Sequence, residues 1–222
     1  MIHILLLSAA WAAKPNVLSV VVTDASGAPV PTGTVLFDAE GERHRVNTLD
    51  GSFASALLYL DDGSELGFAT GATTRFWATA SGYAGAHVEH VMVGKKKDDR
   101  VVVVLEPLVV PSLGCVAGPL VGGQGRATAE AARVSLQSGV GEEARGCAMA
   151  AIAWGYALDL QADEVAYTAT PSHERLGAIV AGRKDTLAAI RAWREWLAAA
   201  GQDPTRADPL CVSVAGTDAP CR

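Results

Sequence analysis

The sequence predicts an α+β fold in two parts, an N-terminal antiparallel β-sandwich over residues 14–107 and a small C-terminal α-helical hairpin or bundle over residues 126–203. Three observations lead there. Between Asn16 and Leu105, short runs of β-branched and aromatic residues are cut at close intervals by Gly, Pro, Asp and Ser, the rhythm of antiparallel strands and turns. From Pro107 to Gly125 the composition shifts to Pro, Gly and small apolar residues, which marks a linker over 108–125. Beyond Thr128 the chain is rich in Ala, Leu, Glu and Arg, the strong helix formers.

Taken in order, Val17 to Thr23 is an unbroken apolar and β-branched run, suited to a strand buried on both faces. Asp24-Ala25-Ser26-Gly27-Ala28-Pro29 then supplies a turn, because Asp and Ser bond the local backbone, Gly accepts positive φ and Pro fixes the exit. Thr34 to Asp38 is the second strand. Asp50-Gly51 is a hairpin signal ahead of Phe53 to Leu60, whose alternation predicts a single central strand. After the Asp61-Asp62-Gly63 turn come Leu66 to Ala69 and Arg75 to Ala80, the latter with Phe76, Ala78 and Ala80 on one face and Trp77 on the other. His87 to Val93 and Val101 to Leu105 form an expected final hairpin with a polar tip, Gly94-Lys95-Lys96-Lys97-Asp98-Asp99, read as a solvated turn.

Four of these segments carry a family resemblance: Val20 to Val30, Asn47 to Phe53, Ala78 to Tyr83, and Val101 to Pro107. Together they are similar to the carboxypeptidase regulatory-like module over about residues 16–108. That resemblance implies a transthyretin-like sandwich of Ig-like architecture, and an accessory role in secreted or surface proteins, a kind of module that seldom carries an active site.

In the second half, Thr128 to Ser138, Glu142 to Leu160, Ser172 to Ala181 and Lys184 to Ala200 are the expected helices. The last is the clearest, since Leu187, Ile190, Trp193 or Arg194, and Leu197 follow helical spacing and make one apolar stripe. Pro171-Ser172-His173-Glu174 offers a start signal, Gly182 is expected to break one helix from the next, and Gly201 with Pro204 stops the last. Leu176, Gly177, Ala189 and Trp193 resemble a tetratricopeptide hairpin in spacing, but Trp196 occupies a position where that repeat takes a small residue, and no second copy follows. Residues 204–222 read as a Cys-containing tail.

Charge and cysteine usage bound the function. A net charge of -6 with 18 Lys and Arg lacks the basic footprint of nucleic-acid binding, so no nucleic-acid partner is expected. Residues 1–13 read as a signal peptide: an apolar run from Ile4 ends in Ala10-Trp11-Ala12, although no Lys or Arg precedes it. The next apolar stretch, Cys147 to Leu158, falls short of the roughly 20 residues needed to span a bilayer. Cys115, Cys147, Cys211 and Cys221 are an even set suited to disulfides in an oxidising compartment, with Cys115 to Cys147 and Cys211 to Cys221 the preferred pairing among three. With no C-x-x-C pair, a zinc site is the weaker reading.

Few residues suggest chemistry. Gly122-Gly123-Gln124-Gly125 includes the tripeptide that release factors use on ester bonds, but its place in the linker favours flexibility. No G-x-S-x-G, P-loop or H-E-x-x-H occurs. His87, Glu89 and His90, with His44 or Asp38, are the metal-ligand candidates, yet strand alternation turns His90 away from the other two. Asp24, Asp50, Asp61 and Asp62 are candidates for Ca²⁺, with ordinary turns the preferred reading for them. No metal or other cofactor is expected. Trp154, Trp193 and Trp196 could form a stacking platform; Trp193 fits the buried stripe, whereas Trp196 and Trp77 are the surface candidates for binding. The expected function is that of an exported, non-catalytic structural or protein-interaction protein of the cell envelope or secreted space. A carbohydrate-binding module retained on a cell-surface glycan through Trp77 or Trp196 is the alternative. A hydrolase assembled from His173 and Glu174, or from the His87 face, is the third reading.

Overall fold

A computed structural model of the chain describes residues 16–60, 62–94, 99–116, 120, 125–139 and 141–221. It is an α+β structure: sheets made chiefly of antiparallel strands, followed by four α-helices.

The sheets grow around β1 (Leu18–Asp24), whose Leu18, Val20 and Val22 are fully buried and whose Val21 is nearly so. This matches the double-sided burial expected of its unbroken apolar run. β1 is the middle strand of a three-stranded sheet, antiparallel to β4 (Ser52–Ser55) and parallel to β9 (Asp99–Leu105). A four-stranded antiparallel sheet runs in the order β3 (Arg43–Arg45), β2 (Thr34–Phe37), β7 (Thr73–Thr79), β8 (Ala86–Val91). A small ribbon pairs β5 (Leu57–Tyr59) with β6 (Glu65–Gly67). Apolar residues from both larger sheets share one core: Val20 and Val22 of β1, Leu105 of β9, Phe37 of β2 and Phe76 of β7. The Phe37 ring lies 5.6–6.0 Å from those of Phe53, Phe68 and Phe76, and burial of such a ring contributes about 1.5–3 kcal/mol.

Two strand expectations are corrected. Phe53 to Leu60 is not one strand, because it splits at Ala56 between β4 and β5. Ser55 turns the chain there: its hydroxyl donates to the Leu57 carbonyl (2.6 Å) and accepts from the Leu57 N–H (3.2 Å), replacing ladder bonds with local ones. β8 and β9 are not a hairpin, since β8 pairs β7 in one sheet and β9 pairs β1 in the other. At the crossing, the buried Asp99 carboxylate accepts from the N–H groups of Val93 (2.9 Å) and Gly94 (3.1 Å). The expected polar tip lies, apart from Gly94 and Asp99, outside the described residues. β3 has no sequence signal, because Arg-His-Arg carries neither β-branched residues nor alternation.

α1 (Gly125–Gln137), α2 (Glu142–Ala169) and α3 (His173–Ala199) pack as neighbours, α1 on α2 and α2 on α3. Ser172 caps α3 by accepting from the Arg175 N–H. Gly201 ends it at φ +68°, with Gln202 N–H bonded to the Leu197 carbonyl and Gly201 N–H to that of Ala198, the Schellman pattern. The expected break at Gly182 does not occur. A mid-helix glycine costs only about 1 kcal/mol; buried Ile179, Thr186 and Ile190 hold both sides of it, and the Thr186 hydroxyl donates to the Gly182 carbonyl.

Residues 204–221 form a 3₁₀ turn (Pro204–Ala207), α4 (Asp208–Ala215) and a second 3₁₀ turn (Ala219–Cys221). α4 is mostly buried and bridges the two halves of the chain. Its Ser213 hydroxyl donates to the Ala80 carbonyl (3.1 Å) and accepts from the Gly82 N–H (3.0 Å). Arg43 of β3 donates to the Val214 carbonyl (2.8 Å) and the Thr34 hydroxyl (3.0 Å). Burial, with repulsion from Arg183, brings the Arg43 guanidinium down to about 10, partly offset by Glu164; it therefore stays charged at neutral pH. Glu164 in turn holds Arg183 at 2.5 Å, and Arg45 lies 5.0 Å from the Tyr167 ring centroid.

Candidate functional site

A cavity of about 750 Å³ opens among the stretch 109–114, the start of α2 and the end of α3. That volume is in the range that holds a small organic ligand. Two helical stripes build it. Glu143, Gly146, Cys147, Ala150 and Trp154 recur along one face of α2, and Trp193, Trp196 and Leu197 along one face of α3, continued by Ala200 at its C-cap. The disulfide Cys115–Cys147 fastens the third wall, the end of the Pro- and Gly-rich stretch, to α2. The Cys115 N–H also lies 3.2 Å from the Cys147 sulfur. Leu108, Val110, Leu113 and Val116 of this stretch pack against the helical core.

All three tryptophans singled out in the second half of the sequence meet here. Trp154 and Trp193 are buried and give the cleft its apolar floor, whereas Trp196 is partly exposed. The Trp196 indole reaches over Gly146 and its N–H faces the Glu142 carboxylate at 3.3 Å. Trp154 lines the same cleft, and its buried indole N–H has no protein acceptor. Ser112, Glu142, Glu143, Gln202 and Arg206 complete the polar lining. These five carry no motif; the only signal for them is their position at the ends of the two striped helices and in the loops beside them.

Trp77 stands elsewhere. It borders a second depression of about 560 Å³, between Ala84 and Gly85 on one side and Thr205, Asp208, Pro209 and Val212 on the other. Its ring lies against that of His87, tilted by 36° with centroids 4.8 Å apart. Trp77 and Trp196 thus belong to separate surfaces. The second disulfide, Cys211–Cys221, closes α4 onto the final 3₁₀ turn, so both cystines follow the pairing preferred from sequence.

The metal candidates disperse. His87 meets Asp38 (2.9 Å), Glu89 meets Arg75 (2.7 Å), His90 lies 3.5 Å from Asp99, and His44 bonds the buried Glu40 at 2.6 Å. Among the described residues no group of three or more His, Cys, Asp or Glu is placed to hold a metal ion. Asp24, Asp50 and Asp62 each accept from the N–H and hydroxyl of the serine two residues on, and Asp61 is outside the described residues. Those serine bonds hold the three carboxyls below the usual aspartate value. His173 and Glu174 are exposed at the start of α3. Of the Gly-Gly-Gln-Gly segment only Gly125 is described, as the first residue of α1.

No protein-family model matches the chain, and no curated protein matches it. The class defined by fold and site is therefore a two-disulfide α+β protein with a tryptophan-lined cleft. None of its helices, among the described residues, is long and apolar enough to cross a membrane.

Proposed function

We propose that this is an exported, non-catalytic interaction protein of the cell envelope or secreted space, and that the cleft at Trp196 is its recognition site. The observation that carries the reading is the convergence of Trp154, Trp193 and Trp196 on one cleft whose wall is fixed by a cystine. Aromatic side chains on pinned elements provide contact area with little entropy left to lose. His44, His87, His90 and His173 do not line this cleft. Two disulfides and the apolar run at residues 4–13 support an oxidising destination.

On this reading the first half is an Ig-like, transthyretin-like sandwich of the carboxypeptidase regulatory-like kind. It serves as the platform on which a second, helical domain presents the cleft. The shared core of the two larger sheets and the turn motifs at Asp24 and Asp50 support it. The test is retention of the immobilised mature protein on its own cell-envelope fraction. Wild type should hold a component that Trp196→Ala loses, with unchanged far-UV circular dichroism. Equal retention by both proteins removes the cleft as the recognition site.

A further inference from the structure

The cleft also specifies what it takes. We infer that its ligand is a glycan segment, an uncharged polyhydroxylated chain whose ring faces pack on the indoles and whose hydroxyls bond the rim; this rests on the cleft being the recognition site. Two features of the lining select that chemistry. Three tryptophans line the cleft beside aliphatic Val109, Leu113 and Leu197, with Trp196 the partly exposed one, and the apolar C–H faces of pyranose rings pack well on a flat indole. The rim supplies carboxylate, amide and guanidinium groups, in Glu142, Glu143, Gln202 and Arg206. These planar groups can pair with adjacent hydroxyls, and between them they offer both acceptors and donors.

Competing ligand classes fit less well. Two glutamates at the cleft disfavour an anionic ligand, and Arg206 opposes a polycationic one. The polar rim is poorly suited to an acyl chain, since each carboxylate it covered would lose water without gaining a bond. Gly146 adds a positional argument. An alanine there would favour the helix by about 1 kcal/mol, yet a Cβ would lie 2.0 Å from the Trp196 ring. Glycine at this site lets the indole occupy its place at the cleft.

The test is a titration of the full, oxidised protein with cellohexaose, chitohexaose and maltohexaose, followed by tryptophan emission and calorimetry, and a pull-down on insoluble chitin. At least one of these four probes should bind saturably. Trp196→Ala and, as a milder change at an exposed site, Gln202→Ala should each weaken it at least about tenfold, or about 1.4 kcal/mol. Trp77→Ala, in the other depression, should leave binding within about twofold. If no probe binds while Trp196→Ala still abolishes envelope retention, the glycan assignment is wrong and the cleft keeps its role. Should a glycan bind and Trp77→Ala rather than Trp196→Ala remove it, the inference is overturned and the site lies on the sheet.

Discussion

The benzo edge of Trp196 approaches the Gly146 backbone so closely that three of its ring carbons would stand 2.0–2.6 Å from a Cβ at that position. The contact joins the start of α2 to the end of α3 beside the cleft. Gly146→Ala should therefore destabilise the protein by roughly 1–3 kcal/mol through overpacking, although alanine is the better helix former. Urea denaturation measures the loss, and a shift in tryptophan emission should accompany it as the indole is displaced.

A second contact holds the halves of the chain together. Ser213→Ala leaves the Ala80 carbonyl and the Gly82 N–H without their bonds at a buried position. A loss of about 1–3 kcal/mol is expected for each group left unsatisfied. The variant should unfold at lower urea concentration, and amide exchange at Gly82 should accelerate more than in the core of β1.

Reduction should act unequally on the two cystines. Loop-closure entropy assigns ~3–4 kcal/mol to Cys115–Cys147, with 32 residues of separation, and ~2–3 kcal/mol to Cys211–Cys221, with 10. A Cys115→Ser/Cys147→Ser double variant should have the lower melting temperature of the two paired removals. It should also loosen the wall at 109–114, which tryptophan quenching by acrylamide would register as greater access to Trp196.

Acid should weaken the turns. Serine hydroxyl and backbone bonds lower the carboxyls of Asp24, Asp50 and Asp62 from 3.8 in the folded chain. Because the folded value is the depressed one, their contribution is fully present above the unfolded value. It is lost as pH falls below about 3.8 through the folded value. Asp50→Asn should flatten the stability profile in that window and leave the melting temperature's dependence between pH 5 and 7 unchanged. An unaltered acid limb would contradict the assignment.

How much of this was legible in the sequence depended on whether the signal was local. β1, the Ser172 cap and the stop at Gly201 follow from residue types whose preferences act within a few positions. The pairing of β9 does not: Val101 to Leu105 is the same unbroken apolar run whether it folds back on β8 or crosses to β1, and only the shared core chooses. Gly182 misled because propensity is a small energy against the packing of Ile179 and Ile190. For the cleft, Trp154, Trp193 and Trp196 stood out as aromatic. Their meeting required the antiparallel approach of α2 and α3, and Glu142 and Gln202 became notable only once those ends adjoined. Trp77 carried the same sequence signal as Trp196 and went to a different surface.

The central claim, a protein oxidised outside the cytosol with its cleft held by a cystine, is tested most directly by non-reducing peptide mapping of the protein isolated from its own cell. The account predicts two cross-linked peptides, one joining Cys115 to Cys147 and one joining Cys211 to Cys221, with no free thiol. Four unmodified cysteines, or a peptide joining Cys115 to Cys211, would contradict it.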